Sequence, residues 1–486
     1  RSSRADHPAV EGGSYLTLTG HKAVALQNGS VETLPPPLAH PGKPAALPAA
    51  ANTEDTPTQL IDLASALGMA GGNAWTIQLA RQRTLEAHAD LKAAKALWLP
   101  SLQAGIGWNK HDGRIQATQG QVLDASRGSL FAGAGATLGA APIAGGTNGP
   151  LRLSADLALA DAYFGPQIAN RQVAARRAGV SIAKSRAQLD AGLAYVDLLE
   201  ATGQLADAQT AISAANELLN LTKTFERAGA GALADVDRAA TEQARLSQQL
   251  ANSQRLYRTR SAALARRLRL DPRFTLQVAD QVLVPIELAT DANDVNTLIA
   301  TALSQRPEVS ELHQEIAGLC VAVRKANVEP WIPRVAMTTS AGSFGGGQGS
   351  DVGTRSGRSD VDLQAVWQVD NLGVGVVAKR NRAASQLAQK RMSLADLRDQ
   401  ITSDVVAAYE NVQNYRHQIT AANQAMALSK TSYQRNLQRV RASEGLPIEL
   451  LQAISARAES LRDRTAAVAG YNRAQLQLLF ATAQLR

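Results

Sequence analysis

The sequence predicts a mainly α fold with a small β part, and three observations carry that prediction. The 486 residues are 45% hydrophobic but only 4% aromatic. Much of the apolar share is alanine, and Ala-rich chains with many Leu, Arg and Gln favour helices over large globular cores. Apolar residues then recur every seven positions through long proline-free stretches, while two short segments alternate apolar and polar residues, which is the period of a half-buried strand.

Composition excludes several classes. Fifty Lys+Arg against 42 Asp+Glu leave a net charge of +8, but acids interleave with the bases, so no nucleic-acid partner is expected. The single Cys320 rules out an internal disulfide framework and a cysteine zinc site, and reads as a small packed residue. No GxxxxGK[ST], HExxH or GxSxG occurs, and the histidines are scattered. No enzyme, catalytic residue, cofactor or metal site is therefore expected. The longest uncharged run, Gly128 to Leu151, holds seven glycines and two prolines in 24 residues, and predicts a loop rather than a membrane helix.

Along the chain, residues 1–56 are broken by Pro35-Pro36-Pro37, Pro41, Gly42, Pro44 and Pro48 and read as an irregular leader. Next comes SLQAGIGW (101–108), where Leu102, Ala104, Ile106 and Trp108 share a face. Across the glycine-rich insert it is expected to pair with LRLSADLAL (151–159). A second pair is RVAMTTSAG (334–342) and VDLQAVWQV (361–369), with Val361, Leu363, Ala365, Trp367 and Val369 on one face. Alternation over about nine residues is also the pattern of an outer-membrane barrel strand.

The two halves repeat each other. Lys92-Ala93 and Trp98-Leu99-Pro100 recur as Lys325-Ala326 and Trp331-Ile332-Pro333, and Arg227-Ala228, Gly231 and Ala239 recur as Arg441-Ala442, Gly445 and Ala453. A unit of helix, hairpin, long helix, turn and helix is thus duplicated. The expected layout is a first repeat over 57–270, an equatorial linker over 271–300 and a second repeat over 301–486.

Between Gln167 and Gly229 no proline intervenes. Ala194, Ala201, Ala208 and Ala215 form one seven-residue series, and Leu198, Leu205, Ile212 and Leu219 another, as in a close-packed coiled coil. Ala408, Val412, Tyr415, Ile419, Ala422 and Met426 serve in the second half. The return helix carries Ile454, Leu461 and Val468, and Gln475 is expected to end or shift that seam. Each turn between long helices places a glycine before an acid, Asp235 or Glu449, as helix-capping chemistry does.

Four strands cannot close a barrel, and open edges cannot lie in lipid. In a membrane, three chains would pool about twelve strands, with Trp98, Trp108, Trp331 and Trp367 as interface aromatics. At this point the sequence resembles the TolC-type outer-membrane channel family, the exit ducts of efflux pumps and type I secretion systems. The resemblance covers roughly residues 58–486. It rests on the duplicated W-[LI]-P-x-[LV] motif, the paired hairpins, and the twin turns RAGAGALADV and RASEGLPIEL.

The resemblance implies a homotrimer with a shared twelve-stranded β-barrel in outer-membrane lipid and a trimeric α-barrel of antiparallel coiled-coil helices in the periplasm of a Gram-negative bacterium. It implies partners as well, a periplasmic adaptor protein and an inner-membrane pump, which would select small molecules or polypeptides. Asp235 and Glu449 fall at the pore gate. Arg227, Gly231, Arg441, Gly445 and Leu446 fall at the helix tips that meet the adaptor. A gate arginine that some members place before the second acid falls near Gly445. The reading from a different class is a soluble periplasmic coiled-coil scaffold or pump adaptor.

Overall fold

The computed structural model describes residues 58–485, apart from 118, 139–154, 280–282, 289–293, 350–352 and 354; the expected leader lies outside the described residues. In chain order the elements are β1 (Thr58–Ile61), α1 (Leu63–Asn73), α2 (Trp75–Ala96), β2 (Pro100–Gln116), β3 (Val122–Leu138), β4 (Ala155–Ala158), α3 (Leu159–Arg227) and α4 (Leu233–Leu268). They continue with β5 (Thr275–Val278), α5 (Val295–Gln305), α6 (Pro307–Val328), β6 (Arg334–Gln348), β7 (Arg355–Val366), α7 (Val374–Arg441) and α8 (Pro447–Ala481).

The α3 and α7 helices have 69 and 68 residues, about 100 Å each at 1.5 Å per residue. Rods of that length need packing along their course. The shorter helices supply it in pairs. Near the strands, the Thr84 hydroxyl of α2 donates to the Arg176 carbonyl at 3.2 Å, and Arg171 donates to Gln314 of α6 at 3.2 Å. Farther down α3, Arg267 of α4 pairs with Asp190 at 2.5 Å and Arg473 of α8 with Asp197 at 2.8 Å. The α7 helix packs on α6 and α8. Four rods therefore stand side by side, α2 and α4, then α3, then α6 and α8, then α7. Among the described residues no further long helix covers the α2/α4 flank or α7, and the short α5 packs on part of α7.

Small residues set the rod spacing. Ala201, Ala208 and Ala215 are buried as the seven-residue series requires, and so is Leu198, whereas Leu205, Ile212 and Leu219 are half-buried. The reason is that α3 has neighbours on two flanks, and Ala191, Val196, Ala211, Ala214 and Leu218 bury a second stripe. The α7 seam holds at Ala408, Val412 and Ile419. On α8 the seam runs through Gln475, contrary to expectation. Gln475 is fully buried, and its amide donates to the Tyr471 hydroxyl at 2.9 Å, which satisfies a polar group in the core. Beside it, Gly470 lets Tyr415 cross very closely, since a Cβ there would stand 2.3 Å from the ring.

One buried acid gives a pH-dependent prediction. Asp207 of α3 accepts a hydrogen bond from the Thr465 hydroxyl at 2.7 Å. Burial pushes its carboxyl above the usual range, and the Thr465 bond and nearby Arg464 and Arg462 offset only part of this. A raised native pKa stabilises the fold below the unfolded pKa, and that contribution is lost as pH rises through the native value. Asp207→Asn keeps the acceptor without the charge. Its thermal midpoint should exceed that of the unmodified chain at pH 7, with the gap closing toward about pH 4. Circular dichroism melts across that range check the sign.

The strands build one sheet, four strands wide. The β2–β3 hairpin pairs from Pro100↔Leu138 to Gln116↔Val122. On one edge of β6 lie β3 (Arg127↔Gln348 to Thr137↔Thr338) and, continuing the same line, β4 (Ala155↔Met337 to Ala158↔Arg334). The β7 strand pairs on the other edge, from Arg334↔Val366 to Gly345↔Arg355. This corrects the first expected hairpin: 101–108 pairs with β3, while Ala155–Ala158 pairs with β6, and Gly128–Leu138 is strand rather than loop; the rest of the expected loop and 151–154 lie outside the described residues. Tight ladder packing accounts for Gly346, where a Cβ would lie 3.1 Å from the Gly128 carbonyl. The 342–353 insert likewise begins as strand through Gln348.

Register sorts the two faces. Ile106, Trp108, Leu130, Ala132, Met337, Val361 and Leu363 share one, and Asn109, Ser129, Gly342, Phe344, Ser356, Arg358 and Gln364 share the other. Ile106 is 77% exposed and Leu363 73%. The apolar face stops beyond Trp108 at two ion pairs, Lys110–Asp112 (2.8 Å) and Arg114–Asp124 (3.5 Å). Midway along the rods, β1 and β5 pair in parallel beside the helices. Among the described residues no helix is long and apolar enough to cross a membrane.

Candidate functional site

The α3–α4 and α7–α8 tips, farthest along the rods from the sheet, fold as copies of one turn. Gly229 has φ 69° and Ser443, 214 positions later, φ 61°. Ala230 N–H donates to Phe225 O at 2.8 Å, and Glu444 N–H to Arg439 O at 2.9 Å. Gly229 and Ser443 N–H each donate at 3.0 Å to Glu226 and Val440. This paired closure satisfies the last helix carbonyls through one left-handed residue. Gly231 and Gly445 follow, where a Cβ would come within 3.0 Å of Phe225 Cβ and 2.9 Å of Arg439 Cβ. Both glycines are required by the close approach of the returning chain to the helix it has left.

Asp235 and Glu449 open the return helices, as the sequence predicts, and their N–H groups donate to Ala232 O (3.0 Å) and Leu446 O (3.1 Å). Neither carboxylate stands alone. Asp235 accepts from Arg238 at 3.0 Å, and Glu449 from Arg439 at 3.1 Å across the turn. Around them Leu233 (65% exposed), Leu446 and Ile448 present apolar surface.

The two tips differ in how they are tied to the rest of the molecule. Arg441 of α7 forms an ion pair and hydrogen bond with Glu217 of α3. Tyr433 of α7 donates to the same carboxylate at 3.4 Å, and Arg457 of α8 lies 4.7 Å from the Tyr433 ring centroid. Arg227, the first-half counterpart of Arg441, is exposed and makes no ion pair among the described residues. Sequence reading found Arg441 but missed Glu217, Tyr433, Arg439 and Arg457. The available signal was Glu217 itself, an acid ten positions before Arg227 in a stretch with no other charge (ISAANELLN).

The tryptophans occupy two levels. Trp98, whose indole N–H donates to Ala162 O at 3.0 Å, Trp331 and Trp367 sit where strands meet helices. Trp108 lies eight residues up β2 from Pro100, about 26 Å along the strand. Cys320 is half-buried on α6, and no group of acids, histidines or cysteine among the described residues is arranged to hold a metal.

No protein-family model matches the chain, and no curated protein sequence matches it. Solved structures do match. The CmeC outer membrane channel of Campylobacter jejuni superposes with a TM-score of 0.71 at 14% identity, over 87% of this chain and 85% of that one. The outer membrane protein VceC of Vibrio cholerae gives 0.67 at 15%, over 86% and 95%. The open state of the MtrE outer membrane channel of Neisseria gonorrhoeae gives 0.67 at 15%, over 87% and 89%. The chain has the outer-membrane channel fold. In this channel fold the polar-and-apolar sheet stands at one end of the rods and the twin tips at the other, and identities this low establish architecture rather than cargo.

Proposed function

We propose that the chain is the passive outer-membrane exit duct of a tripartite efflux or type I secretion system, working as a homotrimer. The observation that supports this most is the pair of open flanks. One chain is an incomplete wall: among the described residues strand edges β2 and β7 are unpaired, and no further long helix covers α2/α4 or α7. Open strand edges are costly in lipid, and a closed ring of three chains pairs them as a twelve-stranded barrel. The face carrying Ile106, Trp108, Val361 and Leu363 meets lipid, and the face carrying Arg358 and Gln364 lines water. The helices continue as a trimeric α-barrel into the periplasm of a Gram-negative bacterium. Residues 57–270 and 301–486 act as two repeats around the 271–300 linker.

At the far end, Arg227, Gly231, Arg441, Gly445 and Leu446, with Leu233 and Ile448, meet the adaptor protein, and Asp235 and Glu449 ring the gate. Arg238 and Arg439 temper that ring, so its preference for cations is weak. Glu217, held by Arg441 and Tyr433, latches the α7–α8 hairpin to α3. The pump supplies energy and selects the small molecule or polypeptide carried.

The test is to express the full chain, fractionate it and add the detergent-purified protein to planar bilayers. Recovery as a detergent-requiring trimer that forms discrete conducting steps is the expected result. A soluble monomer without channel activity would overturn the reading in favour of a periplasmic coiled-coil scaffold or adaptor.

A further inference from the structure

The two flanks of the rods carry charge steps of opposite sense. From Val374 to Ala395 the α7 helix holds only bases, and Asp396 and Asp399 follow. Lys379 and Lys390 are held within the chain by Asp370 at 2.6 Å and by Glu315 of α6 at 2.8 Å. Arg380 donates to Asn327 at 2.7 Å. Arg382, Arg391, Asp396 and Asp399 are exposed and form no ion pair among the described residues. The two acids stand opposite buried Leu394 and Ile401, beside Met392, which is 71% exposed.

On α2 the order is reversed. Ile77, Ala87 and Leu91 are buried and Thr84 bonds α3, which turns Glu86, Asp90 and, at the edge, Arg83 away from it. All three are exposed. Lys92 and Lys95 instead continue the rows of His88, which meets Arg177 of α3, and of Leu91. Away from the strands, this flank is acidic at Asp90 and Glu86 and then basic at Arg83, whereas α7 is basic to Arg391 and acidic from Asp396.

Contacts inside the chain put the two steps at one level. Lys390 pairs with Glu315, and the neighbouring Gln314 accepts from Arg171 of α3. Five residues farther along α3, the Arg176 carbonyl accepts from Thr84. Because α2 runs against α3, the level of Lys390 falls five residues beyond Thr84, at Ala89. Arg382 and Arg391 thus bracket the level of Asp90, and Asp396 stands level with Arg83, about 9 Å farther from the strands.

Complementary patches on opposite flanks of one chain make a head-to-tail contact between copies. We propose that α7 of one copy lies against α2 of the next and that this charge step sets their register, an assignment that rests on the trimer proposed above. Arg382 and Arg391 meet Glu86 and Asp90 of the next copy, and Asp396 meets its Arg83. A slip of one helical turn, about 5.4 Å, sets Asp396 against Glu86 in one direction and Arg391 against Arg83 in the other.

The experiment follows the full chain in detergent by analytical ultracentrifugation over a range of protein concentrations. Glu86→Lys with Asp90→Lys makes both flanks basic at this level and should raise the concentration for half-assembly about tenfold or more. Arg382→Glu with Arg391→Glu makes both acidic and should do the same. All four changes together restore opposite signs and should recover assembly. Mixing the two double variants lets at most two of the three junctions in a ring join opposite signs. Mixed trimers should therefore be tighter than those of either variant and weaker than the unmodified trimer. The substituted side chains are exposed in the single chain, so helical circular dichroism should be unchanged. Unaltered assembly in both double variants, or a fourfold variant no tighter than they are, would overturn the charge step. An unmodified chain that stays monomeric defeats the trimer reading itself.

Discussion

Arg473→Met should lower the stability of the rod assembly by about 3 kcal/mol, read as a lower guanidinium midpoint for loss of helical signal. Arg473 lies on α8 and donates to Asp197 at 3.0 and 2.8 Å and to Glu200, both on α3. Asp197 also pairs with Arg260 of α4 at 3.0 Å. One carboxylate therefore joins the rods on both flanks of α3. The side chains of Arg473, Asp197 and Glu200 are 30%, 25% and 18% exposed, so removing the guanidinium leaves Glu200 without a cation, with only the Gln204 amide, and Asp197 with Arg260 alone. Most of the cost is that orphaned charge rather than the worth of the pair. Arg473→Met combined with Asp197→Asn and Glu200→Gln should accordingly recover part of the loss. If the triple variant were as unstable as the single one, orphaned charge would not be the cause.

This tie also marks the limit of what sequence patterning conveys. Heptads read the rods well, because a period of seven reports which residues are buried and small residues report close approach. They do not report how many neighbours a helix has, which is why Leu205, Ile212 and Leu219 proved half-buried. The twin tips were legible to the residue, since backbone requirements at Gly231, Gly445, Asp235 and Glu449 are local. Strand reading failed at Gly128–Leu138 for a physical reason. Glycine weakens an isolated strand, but in a wall where β3 is paired on both edges, ladder spacing outweighs side-chain propensity. Of the alternating 151–159, Ala155–Ala158 are strand, where β4 completes the edge of β6 that β3 leaves unpaired, and 151–154 lie outside the described residues. Long-range charge pairs such as Arg441–Glu217 join positions 224 residues apart, and a single sequence holds no signal of that pairing.

Glu217→Ala should raise the conductance of the resting trimer roughly tenfold or more in planar bilayers. Glu217 is the carboxylate that both Arg441 and Tyr433 of α7 reach, so its loss removes both of these polar ties between α7 and α3 near the tip in a single step. The Arg441 and Glu217 side chains are 57% and 32% exposed, and an ion pair of that kind is worth about 0.5–1 kcal/mol. A trimer multiplies it by three, and a shift of about 1.5–3 kcal/mol moves a closed–open balance by roughly ten- to hundredfold. Arg441→Gln should open the channel less, because Tyr433 still holds Glu217. Arg227→Gln supplies the control: it stands at the matching position of the first tip without an ion-pair partner, so its conductance should equal that of the unmodified protein. The asymmetry lies in the arginines: Arg441 joins its hairpin to α3 of the other one, whereas Arg227 has no ion-pair partner among the described residues. Equal conductance in the Glu217→Ala and unmodified channels would mean that backbone packing, not this charge pair, keeps the hairpin in place.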